Sequence, residues 1–239
     1  MHTKKGILLI ETATRVCSAA YAVSGDVLCE RICTESNSNH ATMLAPFVKE
    51  VLDEASSQGY RPEAVAVSAG PGSYTGLRIG ASTAKGLAFG YDLPLIAVPT
   101  LQIVAAAVAP LNPDRLRTRI LLDARRMEVY TAMYDATLRP ITQEEAVIIN
   151  ASSFAEDLAS GPLIFAGDGV SKCRDLLSHP QATFIDGIYP TAMAMATPAQ
   201  QLLEQEVFVD VAYWEPDYLK EYVAVVGKNK VLNNLNKTI

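Results

Sequence analysis

The predicted order of strands and helices repeats once along the chain, and this repeat constrains the fold more than any other feature. Residues 5–13, 17–23 and 27–34 are short apolar runs separated by turn signals, which predicts a three-stranded antiparallel meander. Helices and strands then alternate up to residue 109, and residues 119–207 follow a similar order. Such a repeat indicates an internal duplication, so the expected fold class is α/β with two related subdomains rather than one doubly wound sheet.

The repeat divides the 239 residues into two halves followed by a tail. We predict an N-terminal subdomain over residues 1–99, a C-terminal subdomain over residues 100–220 and a flexible tail over residues 221–239. Residues 93–113 carry no charge, yet prolines interrupt them, so a buried strand followed by a helix is predicted there instead of a membrane span. The N-terminal apolar run is too short for a signal peptide, which indicates a cytoplasmic protein without membrane contact.

Two amphipathic helices are predicted in the first half and another at the end of the second half. Apolar residues recur at helical spacing over residues 44–55, where Pro46 predicts a late start or a kink. Residues 75–91 form the second predicted helix, and residues 197–207 form the closing one. Both halves of the repeat are therefore expected to contain helices that pack on their strands.

Charge and composition limit the chemistry that the chain can support. Its 26 acidic and 20 basic residues give a net charge of −6, so any RNA contact must be local or made by a partner. Its three histidines have no metal-ligand spacing, which predicts no His-based metal site and no cofactor. The four cysteines form no CxxC pair and are expected to be reduced thiols.

The most informative segment is the glycine-rich stretch at residues 65–80, where a predicted strand runs through a loop into a predicted helix. Free backbone N–H groups at such a loop, together with the positive helix end, can bind an anion. The candidate anion-contact residues are Gly70, Gly72, Ser73, Thr75 and Arg78. The spacing excludes a Walker A loop, a GxGxxG dinucleotide loop and a GxSxG nucleophile elbow. A tight turn with Ser73 or Thr75 capping the helix explains the same residues.

Two acidic residues in the second half leave two interpretations open. Asp123 precedes Arg125 and Arg126, and Asp168 lies between two glycines. Both carboxylates fit the metal-directed positions of a kinase-like cleft. Both fit ordinary turns equally well, because aspartate and glycine favour turns.

Six segments together resemble the bacterial TsaB (YeaZ) family. They are residues 7–14, 40–46, 70–80, 124–130, 167–169 and 216–220, so the resemblance spans residues 7 to 220. It implies an actin-like ATPase fold (ASKHA, ribonuclease H-like) with two duplicated subdomains, which agrees with the repeat described above. It also implies a role in making threonylcarbamoyladenosine, the modified base beside the anticodon in tRNAs that read codons starting with A.

In that family the transfer chemistry belongs to a homologous partner, TsaD, which binds a metal through an HxxxH pair. This sequence has Thr100 and Val104 where the two histidines would lie, so transferase and metallopeptidase chemistry both lack their metal ligands here. The resemblance therefore implies a catalytically silent scaffold that binds and activates a TsaD-like transferase. A TsaE-like P-loop ATPase is expected through that complex, and a homodimer is expected when the chain is alone.

Contact with tRNA is expected mainly through these partners. The basic residues of the tail, Lys228, Lys230 and Lys237, are the local exception. Two departures from the family pattern reduce other expectations. Ala13 makes a phosphate contact at the first hairpin less expected, and Lys220 does the same for a fixed ion pair near the C-terminus.

A function of a different class is an independent ATPase or kinase of the same fold. Such an enzyme would hold its nucleotide between residues 10–16, residues 123–127 and the turn at residues 167–169. Nucleotide affinity and turnover by the isolated chain distinguish this alternative from the scaffold.

The resemblance also predicts the partner interface, on the two N-terminal helices. In the second helix, Gly76, Gly80, Ala84 and Ala88 recur every four residues and form a smooth line that lets another helix approach closely. The full predicted set is Leu44, Phe47, Val48, Val51, Gly76, Gly80, Ala84, Leu87 and Ala88. The alternative is that the smooth line packs on the chain's own sheet or on the neighbouring helix.

Overall fold

Two five-stranded β-sheets with the same strand order form the framework of the molecule. In the computed structural model, which describes residues 4–35 and 39–220, the first sheet has the order β3-β2-β1-β4-β5. Its strands are β1 (Lys4–Glu11), β2 (Cys17–Val23), β3 (Asp26–Cys33), β4 (Tyr60–Ser68) and β5 (Leu95–Val98). The first three strands are antiparallel neighbours, which confirms the predicted meander, and β4 and β5 run parallel to β1.

The second sheet repeats this arrangement. Its strands are β6 (Arg117–Asp123), β7 (Glu128–Tyr134), β8 (Glu145–Ile148), β9 (Leu163–Gly167) and β10 (Ala182–Asp186). Their order, β10-β9-β6-β7-β8, becomes that of the first sheet when the strands are numbered from β6 and read from the opposite edge. Both sheets combine an antiparallel meander with two further parallel strands. The predicted α/β fold with two duplicated subdomains is therefore confirmed.

Helices α1 (His40–Ser57) and α2 (Tyr74–Tyr91) cover the outer face of the first sheet. Alternate residues of the strands pack beneath them, because neighbouring residues in a strand point to opposite faces. Helix α1 begins earlier than predicted, since the Asn39 side chain caps it by accepting the Ala41 N–H at 3.0 Å. Pro46 lies inside this helix rather than near its start.

Helices α3 (Thr100–Val108) and α6 (Ala192–Glu204) lie between the two sheets and pack against each other. Helix α6 buries its apolar side against the first sheet, whereas α3 buries most of its apolar residues against the second. The sequence assigned α6 to the second half, but the helix belongs to the core of the first. It also begins before the predicted start at residue 197, because Thr191 caps it by accepting the Ala194 N–H at 3.1 Å.

The outer face of the second sheet carries only short helices, α4 (Ala155–Ala159) and α5 (Val170–Cys173). Phe165 of β9 is fully buried on this face, where its ring centroid lies 5.8 Å from that of Phe154 and 5.6 Å from that of Phe184. The two halves thus share a strand order but differ in what covers their outer faces.

Two further predictions concern particular stretches of the chain. The tail at residues 221–239, with its lysines, lies outside the described residues. Residues 93–113 contain β5 and α3, as predicted. Across residues 4–35 and 39–220, no helix has both the length and the apolar character that crossing a membrane requires.

Two glycines of α2 form a matched pair for testing how this helix packs. A Cβ at Gly76 would overlap the backbone oxygen of Thr12, whereas a Cβ at Gly86 would have no heavy atom within 4 Å. We expect Gly76→Ala to lower the free energy of unfolding by about 2–3 kcal/mol through overpacking. We expect Gly86→Ala to raise it by about 0.5–1 kcal/mol through better helix propensity. Urea denaturation measures both changes, and equal effects would contradict the burial of the Gly76 side of α2.

Candidate functional site

The glycine-rich loop between β4 and α2 packs directly on the β1–β2 loop. The Ser73 N–H donates to the Ala13 carbonyl oxygen at 2.6 Å, and the Thr12 hydroxyl donates to the Gly76 carbonyl oxygen at 2.9 Å. A Cβ at Gly72 would overlap the Ala13 oxygen, so glycine is required for this approach. The glycines of the loop therefore serve a contact within the chain.

Two of the five candidate anion-contact residues line a cavity. Ser73 caps α2, since its hydroxyl accepts the Gly76 N–H at 3.2 Å. Ser73 and Thr75 lie, with His40 of α1, along a cavity of about 290 Å³ between the first turns of the two helices. The capping interpretation is confirmed for Ser73, and the anion contact stays a prediction.

The other three candidates lie elsewhere. Gly72 contacts the β1–β2 loop, as described above. Gly70 has a φ of +111° and lies against the backbone of Asp217, where a Cβ would overlap the carbonyl oxygen. Arg78 is exposed and donates through Nη1 to the Tyr74 hydroxyl at 2.7 Å. The structure thus divides the predicted set between a cavity, two backbone contacts and a surface side chain.

A C-terminal segment, residues 214–220, crosses from the first subdomain to the second, and we call it the strap. At its start, a backbone oxygen accepts a hydrogen bond from Lys85 of α2 at 2.9 Å. In its middle, a backbone N–H donates to the Ala69 carbonyl oxygen at 2.7 Å. At its end, Lys220 forms an ion pair with Glu128 of β7, although the sequence made such a pair less expected. Residues 216–220 belong to the family resemblance, but the sequence did not predict that this segment joins the two subdomains, because no periodic pattern marks it.

The acidic residues of the second half hold a turn together. Asp168 accepts the Asp123 N–H at 2.8 Å, while Asp123 accepts the Arg125 N–H at 3.0 Å and pairs with Lys172. Burial raises the pKa of Asp168 above its ordinary value. Within the part of the chain that the structure describes, no three His, Cys, Asp or Glu side chains are grouped as a metal ion would need. The turn interpretation accounts for both aspartates.

Thr100 and Val104, at the positions of the HxxxH pair, are fully buried in α3. The Thr100 N–H donates to the Gly70 carbonyl oxygen at 2.8 Å, which joins the start of α3 to the glycine-rich loop. Val104 packs in the core beneath the second sheet. Both residues therefore contribute to contacts within the chain's own core.

Glu11, at the end of β1, is a fully buried carboxyl group that sequence reasoning did not single out. One of its oxygens accepts the Ala13 N–H at 2.6 Å, and the other has no hydrogen-bond partner among the described residues. Burial raises the pKa of Glu11 to about 7, although hydrogen bonds act in the opposite direction. The protonation of Glu11 is thus coupled to the β1–β2 loop on which the glycine-rich loop rests.

Most of the predicted interface residues are buried in the chain's own core. The buried members are Leu44, Val48, Val51, Gly76, Gly80, Ala84 and Ala88, and the half-buried members are Phe47 and Leu87. A Cβ at Gly80 would overlap the Thr12 hydroxyl, so this side of α2 faces the β1–β2 loop and the sheet. The predicted line of small residues therefore serves internal packing, which corrects the expectation that it faces a partner.

A different line of small residues on α2 faces outward. Ser82, Gly86 and Gly90 follow one another at intervals of four residues and are exposed, and a Cβ at either glycine would meet no heavy atom within 4 Å. Glycine destabilises a helix interior by about 0.5–1 kcal/mol relative to alanine, and no contact within the described chain requires it here. The sequence shows the spacing of these glycines, but it does not show that they lie on the outward side of α2.

Two exposed aromatic side chains accompany this line. Phe89 is 84% exposed and Tyr213 is 86% exposed. Lys85, one turn before Phe89, donates to the backbone oxygens on either side of Tyr213, which brings the backbone around Tyr213 next to this turn of α2. We call Ser82, Gly86, Phe89, Gly90 and Tyr213 the outer α2 face.

Comparison with known proteins gives matches along most of the chain. A family model described as "TsaD: tRNA N6-adenosine threonylcarbamoyltransferase" matches residues 32–237. The tRNA threonylcarbamoyladenosine biosynthesis protein TsaB of Escherichia coli (strain K12) is 33% identical over 231 residues, which cover 91% of this chain and 96% of that protein. The protein of the same name in Bacillus subtilis (strain 168) is 30% identical, with 90% and 93% coverage.

A solved structure gives the same result for the fold. The structure of YeaZ from Pseudomonas aeruginosa matches this one with a TM-score of 0.77 and 27% sequence identity. The match covers 90% of this chain and 100% of the YeaZ chain. The similarity therefore includes both sheets and the helices between them.

Glu11→Gln tests the buried carboxyl group. The carboxyl group of Glu11 has its ordinary pKa of 4.5 in the unfolded chain and a pKa of about 7 in the folded chain. Between pH 4.5 and pH 7 the folded chain therefore binds more protons than the unfolded one, so the free energy of unfolding falls as the pH rises through this range. Glutamine keeps an acceptor for the Ala13 N–H and cannot ionise. We expect the substitution to raise the free energy of unfolding by about 1–3 kcal/mol at pH 8 and to give no such gain at pH 4. Urea denaturation at both pH values measures this, and equal effects would contradict it.

Proposed function

Since the chain belongs to the bacterial TsaB (YeaZ) family, as its sequence predicted, we propose that it is a non-catalytic subunit for threonylcarbamoyladenosine synthesis in tRNA, which binds and activates a TsaD-like transferase. Its relatives in Escherichia coli and Bacillus subtilis are named as biosynthesis proteins for this modified base. The observation that carries the proposal is the outer α2 face, which is smooth, apolar and exposed.

The surroundings of the candidate catalytic positions support a role without chemistry. Thr100 and Val104 are buried core residues and supply no imidazole. Asp123 and Asp168 are held by hydrogen bonds within their turn, and Lys172 compensates the charge of Asp123. The glycine-rich loop uses its backbone groups for contact with the β1–β2 loop.

The outer α2 face suits a helical partner. Small residues let two helix axes approach closely, while aromatic side chains near the centre of an interface supply much of its binding energy. Burying an exposed phenylalanine side chain such as Phe89 contributes about 1.5–3 kcal/mol. The half-buried Phe47 and Leu87, both predicted from the sequence, add apolar area on the same pair of helices.

We assign this surface to the helix pair of a TsaD-like transferase, and to a second copy of this chain when the transferase is absent. A TsaE-like P-loop ATPase joins through the complex, and the transferase modifies the tRNA in the cytoplasm. These assignments extend what the family resemblance implies, and the chain's net charge of −6 agrees with a division in which partners make most of the tRNA contacts.

Gly86→Gln tests the assigned surface. Glutamine is a good helix former and projects into open space, so the fold is kept while close approach of a second helix is blocked. We expect the affinity for the purified transferase to fall at least about tenfold by isothermal titration calorimetry. Thr197→Gln, at an exposed position of α6, is the matched control and should bind like the unaltered chain. Full affinity of G86Q with an unchanged melting temperature would place the interface elsewhere.

Reconstitution with purified partners tests the function itself. Transferase and P-loop ATPase without this chain should modify tRNA far more slowly than the complete set, and this chain alone should modify none. Sub-micromolar ATP affinity with turnover by the isolated chain would instead favour the ATPase or kinase alternative.

A further inference from the structure

A second cavity lies in the C-terminal half of the molecule, at the end of α3. It has a volume of about 380 Å³ and is lined by three elements: the end of α3 with the loop that follows it, the start of β6, and the turn after β7. Ala105, Ala109 and Leu138 give it an apolar wall, while Arg115 and Asp135 line it with opposite charges. Binding sites for small molecules commonly have such volumes, and combine apolar walls with a few polar groups.

The buried polar group of this cavity is the hydroxyl of Thr118, near the start of β6. Thr118 lines the cavity and is only 5% exposed, yet its hydroxyl forms no hydrogen bond with any residue that the structure describes. Ile120 and Leu122, on the same face of β6, pack in the core beneath the second sheet. Because a buried hydroxyl without a partner lowers stability, a ligand that supplies the missing hydrogen bond is favoured here.

The two loops beside the cavity are held in place by side-chain hydrogen bonds. The Asn112 amide donates to the Leu116 carbonyl oxygen at 2.7 Å and accepts the Leu116 N–H at 2.9 Å. In the turn after β7, Asp135 Oδ1 accepts the N–H groups of Thr137 at 2.7 Å and Arg139 at 3.0 Å. The cavity is therefore preformed, which reduces the entropy lost when a ligand binds.

Both loops also place a residue of unfavourable backbone conformation at the cavity. Arg115 has a φ of +55° and Leu138 a φ of +64°, in the left-handed region where a Cβ is crowded. Asparagine or glycine adopts this conformation at a lower cost in free energy, so the turns alone do not explain an arginine and a leucine. Strain of this kind is concentrated at ligand-binding sites.

The two charged groups of the cavity are available to a ligand. Arg115 is exposed and forms no ion pair within the described part of the chain. All hydrogen bonds that Asp135 accepts from described residues go to Oδ1, which leaves Oδ2 without a donor among them. Hydrogen bonds from Thr137 hold the pKa of Asp135 below its ordinary value, so the carboxylate is charged at neutral pH.

We propose that this cavity binds a free α-amino acid with a small apolar side chain, whose carboxylate pairs with Arg115 and whose ammonium group pairs with Asp135. A guanidinium group can bind a carboxylate through two hydrogen bonds, and the Thr118 hydroxyl donates a further one to the same carboxylate. The ligand's side chain packs against Ala105 and Leu138. A simple anion would leave Asp135 unpaired and a simple cation would leave Arg115 unpaired, so the pair favours a zwitterion.

This inference goes beyond the proposed function and does not depend on it. The cavity lies against the second sheet, whereas the outer α2 face belongs to the first subdomain. Transferase association of the variants below is measured alongside ligand binding. Association that persists without amino-acid binding overturns the amino-acid site alone, and loss of association by the unaltered chain overturns the proposed function alone.

The test is isothermal titration calorimetry of the full chain with L-valine. We expect saturable binding with a dissociation constant of about 0.1–1 mM, as few atoms are buried. Two matched probes each lack one charge: 3-methylbutanoate lacks the ammonium group and isobutylamine lacks the carboxylate. Each should bind at least about tenfold more weakly than L-valine, because one charged group of the cavity stays unpaired.

Arg115→Asn and Asp135→Asn test the two charges separately. Asparagine suits the left-handed backbone at position 115, and at position 135 it keeps an oxygen acceptor for the turn. We expect each variant to bind L-valine about tenfold more weakly, while D135N keeps its affinity for 3-methylbutanoate. Arg126→Asn is the matched control, since Arg126 has a φ of +49° beyond the other end of β6. Its affinity for L-valine should stay within about twofold of the unaltered chain.

Thr118→Val separates binding from packing. Valine has nearly the same shape and removes the hydroxyl that lacks a partner, so the melting temperature of the free chain should rise. The affinity for L-valine should fall about tenfold through loss of one hydrogen bond to a charged group. A changed melting temperature with unchanged affinity would contradict a contact between Thr118 and the ligand.

Three results would overturn the inference as a whole. Absence of saturable L-valine binding by the unaltered chain would exclude the site. Binding of 3-methylbutanoate or isobutylamine as tightly as L-valine would make the cavity an anion or a cation site instead. Equal losses in R115N and R126N would show that the net charge of the chain, and not the cavity, governs binding.

Discussion

The close approach of the glycine-rich loop to the β1–β2 loop fixes the outward-facing surfaces of the first subdomain. Gly72, Gly76 and Gly80 place backbone against residues 12 and 13 with no side chain between them. A helix that starts from such a contact cannot rotate or slide without overlap, because packed interiors have little free volume. One side of α2 is therefore immobilised, and its opposite side becomes a rigid surface that carries the outer α2 face.

The sheets, the duplication and the family could be predicted because strand alternation, helical period and glycine spacing are local patterns. Helix boundaries were harder to predict. Pro46 indicated a late start or a kink for α1, yet the structure carries the helix through it from His40, and α6 likewise contains Pro198. A proline removes one backbone hydrogen bond, whereas the caps at Asn39 and Thr191 and the burial of a whole apolar side stabilise the longer helices.

The surfaces of the candidate site depend on contacts between residues distant in sequence. Gly76 and Gly80 have the same spacing as Gly86 and Gly90, so periodicity alone does not tell which pair faces the sheet. The contact with Thr12 decides this, and only the fold reveals it.

The two halves of the duplication differ in the length of the helices on their outer faces. Helices α1 and α2 have 18 residues each, whereas α4 and α5, at the equivalent positions of the second repeat, have 5 and 4. A helix of one turn is too short to pack along the ridges of a partner helix, so only the first half can present a long helix pair. The second half contributes the β6–β7 hairpin instead. In the proposed arrangement, protein binding therefore belongs to the first half, and the strap joins that half to the second.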